Sequence, residues 1–177
     1  MTYSGVEFYP LDPRAEEIRI EDIAHALSNL CRYGGHVRRF YSVAEHSVSV
    51  AKACVPRCTL WGLLHDAAEA YLVDLPAPIK NDSRLGELYR EAEGRLMRAI
   101  CTRFGLRWGW GASEEVQRAD AAMVWIESRV LMAPHPIWER YKRFAAGLEE
   151  FTGDSLEPPA AEGLFLVAFW RLQAQRG

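Results

Sequence analysis

Long apolar runs are absent. The longest in the 177-residue chain is Leu164–Trp170, far short of the roughly 20 residues a membrane-crossing helix needs. Met1–Gly5 holds neither a basic stretch nor an apolar one, so no signal peptide is visible there. An excess of positive charge is also absent: Lys+Arg 21 against Asp+Glu 24 leaves a net charge of −3. That balance gives no broad pull on nucleic acid or on an anionic membrane, and leaves room only for a local basic pocket. Cysteine is scarce, and Cys31, Cys54, Cys58 and Cys101 form no C-x-x-C pair. This excludes a secreted disulfide scaffold and a zinc-finger type of site, and fits free thiols in a reducing cytoplasm. No repeat or low-complexity segment appears. An apolar fraction of 49 % then points to one packed globular domain spanning 1–177.

What is present is a 3.6-residue apolar period over nearly the whole chain, without strand alternation. The expectation is an all-α bundle of about seven helices. Its core should span 18–131, with C-terminal helices over 136–174 packing on it. Ile20, Ile23, Ala24, Leu27 and Leu30 stripe a first helix. A basic, aromatic loop follows over 31–41. Ser42-Val43-Ala44-Glu45 reads as a capping box opening a second helix, which runs to about Cys54. Thr59 is placed as the cap of a third, running to about Leu72. Residues 73–82, with Pro76 and Pro78, read as a loop. Leu85, Leu88, Ala92, Leu96, Ile100 and Phe104 stripe a fourth helix, Ser113 caps a fifth running to about Met132, and Ile137 to Phe151 stripe a sixth. Pro158-Pro159 opens the last.

Three of these helices carry polar residues on apolar faces. His46 shares a face with Val43, Val50 and Cys54. His65, Asp66 and Glu69 interrupt an otherwise apolar helix. Asp120 falls on the face of Val116, Ala119 and Met123. Burying an unpaired carboxylate is costly, so inward carboxylates near imidazoles suggest a cation between them. Two imidazoles and two carboxylates suit one divalent transition ion, Mn, Fe, Co, Ni or Zn, better than Ca or Mg. By its position, His25 reads as a solvent-facing or loop-contacting residue and His135 as structural.

The order His46, His65-Asp66, Asp120 resembles the H…HD…D signature of the HD-domain metal-dependent phosphohydrolases. Three segments resemble the YfbR-like 5'-deoxynucleotidase branch and the short bacterial and phage HD hydrolases, which include dATP triphosphohydrolases. These are Ser42–Ser47, His65–Glu69 and Asp74–Lys80, inside a likeness covering about residues 18–131. The resemblance implies that His46, His65, Asp66 and Asp120 are metal ligands, and that Glu69 and Asp74 are catalytic. It implies Arg32, Tyr33 and Lys80 as substrate contacts. Tyr33 stands where that branch has Trp, and the Arg-aromatic pair lies about one residue nearer the first histidine. No histidine lies between Asp66 and Asp120, which favours a single metal ion. The implied activity is removal of phosphate from (deoxy)nucleoside 5'-monophosphates, with the nucleotide as the only substrate partner. The alternatives are a dNTP triphosphohydrolase, with Arg38 and Arg39 on the longer phosphate tail, and a non-catalytic nucleotide-binding module. The resemblance also implies a homo-oligomer, and a buried C-terminal helix is the competing use of Leu164–Trp170.

Overall fold

The computed structural model describes residues 1–82, 84–109, 114–148 and 155–176. Those residues hold eight α-helices and no strand; the one extended pairing is an isolated antiparallel bridge between Cys31 and Ser42. The helices are α1 Ile20–Asn29, α2 Val43–Ala53, α3 Thr59–Leu64, α4 Glu69–Leu72, α5 Ala77–Asp82, α6 Arg84–Phe104, α7 Glu114–Leu131 and α8 Pro158–Ala174.

The centre of the bundle is α2, which packs against α1, α3, α7 and α8. Its start is fixed as the sequence predicts. The Ser42 hydroxyl accepts the Glu45 amide at 3.1 Å, and Glu45 Oε2 accepts the Ser42 amide at 3.3 Å. Glu45 Oε1 also accepts the Leu156 amide at 3.1 Å, which ties the lead-in of α8 to the start of α2. Eight of the eleven residues of α2 are buried, so this helix is surrounded rather than lying on a surface. The main core joins Ile23 and Leu27 of α1, Leu63 and Leu64 of α3, Leu96 and Ile100 of α6, and Phe165 and Phe169 of α8. A smaller cluster of Val50, Ala119, Ala122 and Met123 fixes α7 on α2. The last helix is therefore part of the core, and the boundary expected at residue 131 falls inside one hydrophobic unit.

Several expected elements differ. The expected helix over 59–72 breaks into α3 and α4. Between them the backbone tightens to three-residue bonds, Ala67 N–H to Leu64 at 3.0 Å and Glu69 N–H to Asp66 at 2.9 Å. The cause lies in the sequence: the His65 ring takes the Gly62 carbonyl at 2.8 Å, the acceptor that an α-helix would give to the Asp66 amide. Thr59 is the first residue of α3 rather than its cap, and its hydroxyl donates back to the Val55 carbonyl at 3.3 Å. Residues 77–82 are helical, with Pro78 in the first turn, where its missing N–H is harmless. Pro136–Phe144 forms a 3-10 helix instead of an α-helix. None of its residues is fully buried, so no continuous core-facing stripe enforces the 3.6 period. At the start of α6, Leu85 and Leu88 are exposed, and the buried stripe begins at Ala92. In the loop before α2, Tyr41 is buried, whereas its neighbour Phe40 is 36 % exposed. The expected cap Ser113 and the stripe residue Phe151 lie outside the described residues. All four cysteines are free thiols. Among the described residues, no helix is long and apolar enough to cross a membrane.

Candidate metal centre

Gly62 sets the distance between the two helices that carry the histidines. A Cβ at this position would stand 2.7 Å from Cys54 Sγ and 3.1 Å from Ala51 Cα, so only glycine lets α3 approach α2 this closely. His46, fully buried on α2, then faces His65 at the end of α3, with ring centroids 5.2 Å apart. Ligand atoms of His46, His65 and Asp66 all lie within 4.8 Å of one another. Asp120 of α7 adds the fourth group, its Oδ1 3.2 Å from His46 Nε2. Its side chain is 41 % exposed, so Asp120 closes the cluster at its open mouth instead of pointing into the core as its stripe suggests.

Hydrogen bonds decide which ring nitrogens face the cluster. His65 Nδ1 meets the Gly62 carbonyl, which can only accept, so Nδ1 carries the proton. His46 Nδ1 meets the Glu127 carboxylate at 2.6 Å, with the same consequence. In the neutral rings both Nε2 atoms then present lone pairs to the same space. Both are buried without a hydrogen-bond partner, although Asp66 Oδ2 lies 3.1 Å from His65 Nε2. Two orphaned ring nitrogens among close carboxylate oxygens form a donor set whose chemistry fits one divalent ion: His46, His65 and Asp66 draw together, and Asp120 stands beside His46.

Glu127 is the residue that reading the sequence missed. It lies on α7 seven residues after Asp120, fully buried, and joins three partners. Besides His46, it accepts the Tyr33 hydroxyl at 2.9 Å and pairs with Arg32 at 3.5 Å. The signal was available: the stripe Val116, Ala119, Asp120, Met123 extends by one more turn to Glu127.

The charges are strongly perturbed. Burial works against the Asp66 carboxylate, but His65, His46 and Arg32 outweigh it and hold its pKa low. Burial likewise opposes ionisation of Glu127, and His46 and Arg32 keep it ionised. Burial disfavours the charged His65 ring, yet Asp66 and Asp120 push its pKa up to about 9. Glu69, buried at the start of α4, is pushed up to about 9 by burial and by the charges of Asp66 and Asp74.

The remaining expected site residues fall around this cluster. Arg32 lies 3.8 Å from Asp66 as well as beside Glu127, and is largely buried. Tyr33 packs edge-on against Trp138 and under the Arg32 guanidinium, so its ring and hydroxyl are both engaged within the protein. Its backbone has φ 55°, a left-handed conformation that strains a residue other than glycine. Asp74 lies on the loop after α4, exposed as a residue but with a carboxyl shielded enough for partial desolvation to raise its pKa despite Lys80. Lys80 donates to Glu93 at 2.7 Å and lines a cavity of about 540 Å³ that also reaches His65, Asp66 and Asp120. Arg38 and Arg39 are exposed and do not line that cavity. His25 stacks on Tyr3 and meets Glu162 at 3.0 Å, and His135 accepts the Ile137 amide.

No family model matches the chain. It is 36 % identical over 169 residues to the uncharacterized protein YfdR of Escherichia coli K12, an alignment covering 95 % of this chain and 92 % of YfdR. It is 40 % identical over 112 residues to the uncharacterized protein RCAP_rcc00048 of Rhodobacter capsulatus, covering 58 % of this chain and 56 % of that protein. Identity of that extent makes this chain a member of the YfdR family.

Proposed function

We propose that this member of the YfdR family is a metal-dependent phosphohydrolase of the HD-domain kind, acting on (deoxy)nucleoside 5'-monophosphates in the cytoplasm. The observation that carries the reading is the pair of buried histidines. Each has Nδ1 held by an acceptor and Nε2 turned, unpartnered, toward Asp66 and Asp120. A core does not orphan two imidazoles without use, and the order of these residues resembles the HD signature.

His46, His65, Asp66 and Asp120 would hold a divalent ion, which would supply Lewis acidity and lower the pKa of water. The chain's own groups do the rest. Arg32 and Lys80 supply positive charge beside the cluster for the phosphoryl oxygens, Arg32 with a planar fork and Lys80 as a point charge. Hydrolysis joins a water oxygen to phosphorus and breaks the bond to the 5' oxygen, which must gain a proton. Glu69, whose carboxyl is pushed up by burial and by Asp66 in the metal-free protein, is the candidate to deliver it. Asp74, exposed and with a charge that raises the Glu69 pKa, is the candidate to exchange that proton with solvent.

Arg38 and Arg39, the pair the sequence offers for a longer phosphate tail, lie outside the cavity, which favours the monophosphate; Arg90, on the cavity wall, keeps the triphosphate as the alternative to be tested. The test is a turnover screen over deoxynucleoside mono- and triphosphates with Mn or Co, and again after EDTA. Orthophosphate release from monophosphates that stops on chelation is the expected result. Tripolyphosphate as the product would shift the assignment to the triphosphohydrolase. Binding of nucleotide without turnover would leave a non-catalytic module.

A further inference from the structure

The cavity that reaches the histidine and aspartate cluster is much larger than a phosphate needs, and it has a gap in its wall. Gly94 lies in the middle of α6, where glycine is the least favourable ordinary residue for the helix. Nothing in the packing requires it: a Cβ built at Gly94 meets no atom within 4 Å, because this position faces the open cavity. The bare backbone there extends the space of about 540 Å³ up to the surface of α6.

The surrounding groups have the chemistry of a planar ligand. Trp108 lines the cavity and is 48 % exposed, while the Arg98 guanidinium, which does not line it, lies 5.1 Å from the ring centroid. One cation thus steadies a tryptophan that still has an open surface. Met97, one turn from Gly94, adds a soft and adaptable wall. Gln117, one turn before Asp120 on α7, brings an amide that can both donate and accept to the same space. Arg90 lines the cavity too, as does Lys80, whose charge is met by Glu93 on the same wall.

We propose that this cavity is the base subsite: the heterocycle of the substrate lies over the bare backbone at Gly94 and stacks on Trp108, with the Gln117 amide at its edge. The assignment rests on the phosphohydrolase reading for what happens at the other end of the ligand. It adds that a base is bound for itself, so that a sugar phosphate without one is a poor ligand. Base–aromatic stacking tolerates any base, and Gln117 is the group that discriminates among them.

The experiment uses Gly94→Leu, which fills the cavity while improving helix propensity. Binding of the four deoxynucleoside 5'-monophosphates and of deoxyribose 5-phosphate is measured calorimetrically in EDTA, alongside melting temperature and Mn content. The parent should bind at least one of the nucleotides ten or more times tighter than deoxyribose 5-phosphate. Gly94→Leu should erase that preference, with unchanged Mn content and a melting temperature equal to or a few degrees above the parent's. Trp108→Ala should weaken nucleotide binding roughly 5- to 100-fold and leave deoxyribose 5-phosphate alone. A parent that binds the sugar phosphate as tightly as all four nucleotides overturns the subsite, as does a Gly94→Leu variant that keeps the preference. Orthophosphate release by the parent with Mn is scored separately. Its absence sinks the hydrolase reading, while the binding preference still decides the subsite.

Discussion

Glu127 and Asp120, two turns apart on α7, face the opposite nitrogens of one imidazole, the first as a hydrogen-bond partner and the second as a close charge. Glu127 Oε1 is 2.6 Å from His46 Nδ1, and Asp120 Oδ1 is 3.2 Å from His46 Nε2. The inner carboxylate is sealed from water and the outer one is not, so the two should respond differently to substitution.

Glu127→Gln keeps the shape but removes the charge that fixes the His46 ring. Loss of such a support behind a ligand typically weakens metal affinity 10- to 100-fold. Calorimetric titration with Mn measures it, and an unchanged Kd would remove Glu127 from the site. Glu127→Leu also leaves Arg32 and His46 buried without their partner, for an expected loss of about 3–5 kcal/mol of stability.

At the mouth, Asp120→Asn should abolish metal binding while the helical fold remains, because its side chain is 41 % exposed and carries little packing. Elemental analysis and circular dichroism on one preparation check both halves. Full metal occupancy in the variant would exclude Asp120 as a ligand.

Glu69 is not among the four ligands. Glu69→Ala should therefore keep the metal and lower kcat about 10²- to 10⁴-fold, the usual contribution of a positioned acid or base. Turnover per bound metal within a few-fold of the parent would exclude that role and leave Asp74 as the next candidate.

The pH dependence of the metal-free protein follows from two raised values. Glu69 and His65 both reach about 9 in the fold, so both hold protons there that the unfolded chain releases earlier. The folded state binds more protons across this range, and its stability falls as pH rises. For Glu69 the fall starts near the ordinary glutamate value, for His65 near the ordinary histidine value, and both end near 9. Asp66 and Glu127, held low, titrate in acid and do not change here. A divalent ion competes with the same protons, so Mn should bind more tightly as pH rises. Melting curves from pH 5 to 9 with EDTA and with Mn test this, and a chelated protein that gains stability across that range would contradict it.

Gly62→Ala places a methyl group 2.7 Å from Cys54 Sγ and 3.1 Å from the Ala51 backbone. Overpacking of this kind costs about 1–3 kcal/mol, and here it also separates the two histidine helices. The melting temperature and the Mn affinity should fall together. Loss of stability with the affinity unchanged would show that the helix spacing does not tune the site.

Much of the fold was legible because helix ends and stripes are local signals. The Ser42–Glu45 box, the α1 stripe and the Pro158 start all stand where the pattern puts them. That His46, His65, Asp66 and Asp120 would come together was legible for the same reason, since polar residues on apolar faces are visible in one sequence. What escaped needed a third dimension. The break after Leu64 depends on one ring reaching one carbonyl. Asp120 shares a face with buried residues, yet it stands where that face meets solvent. Glu127 was hidden because its meaning comes from His46, Arg32 and Tyr33, which lie 81 or more positions away along the chain.

Phe165 and Phe169 of α8 complete the core around α1, α2 and α3. On a ribosome, synthesis begins at the other end, so every ligand of the cluster is made well before these two rings exist. Until then the apolar faces of α1–α3 have no cover, and closing them requires a contact across more than a hundred residues. Assembly of the centre thus waits for the synthesis of α8. A nascent chain stalled before residue 165 should stay sensitive to protease through α2, even though His46, His65, Asp66 and Asp120 are all already in it.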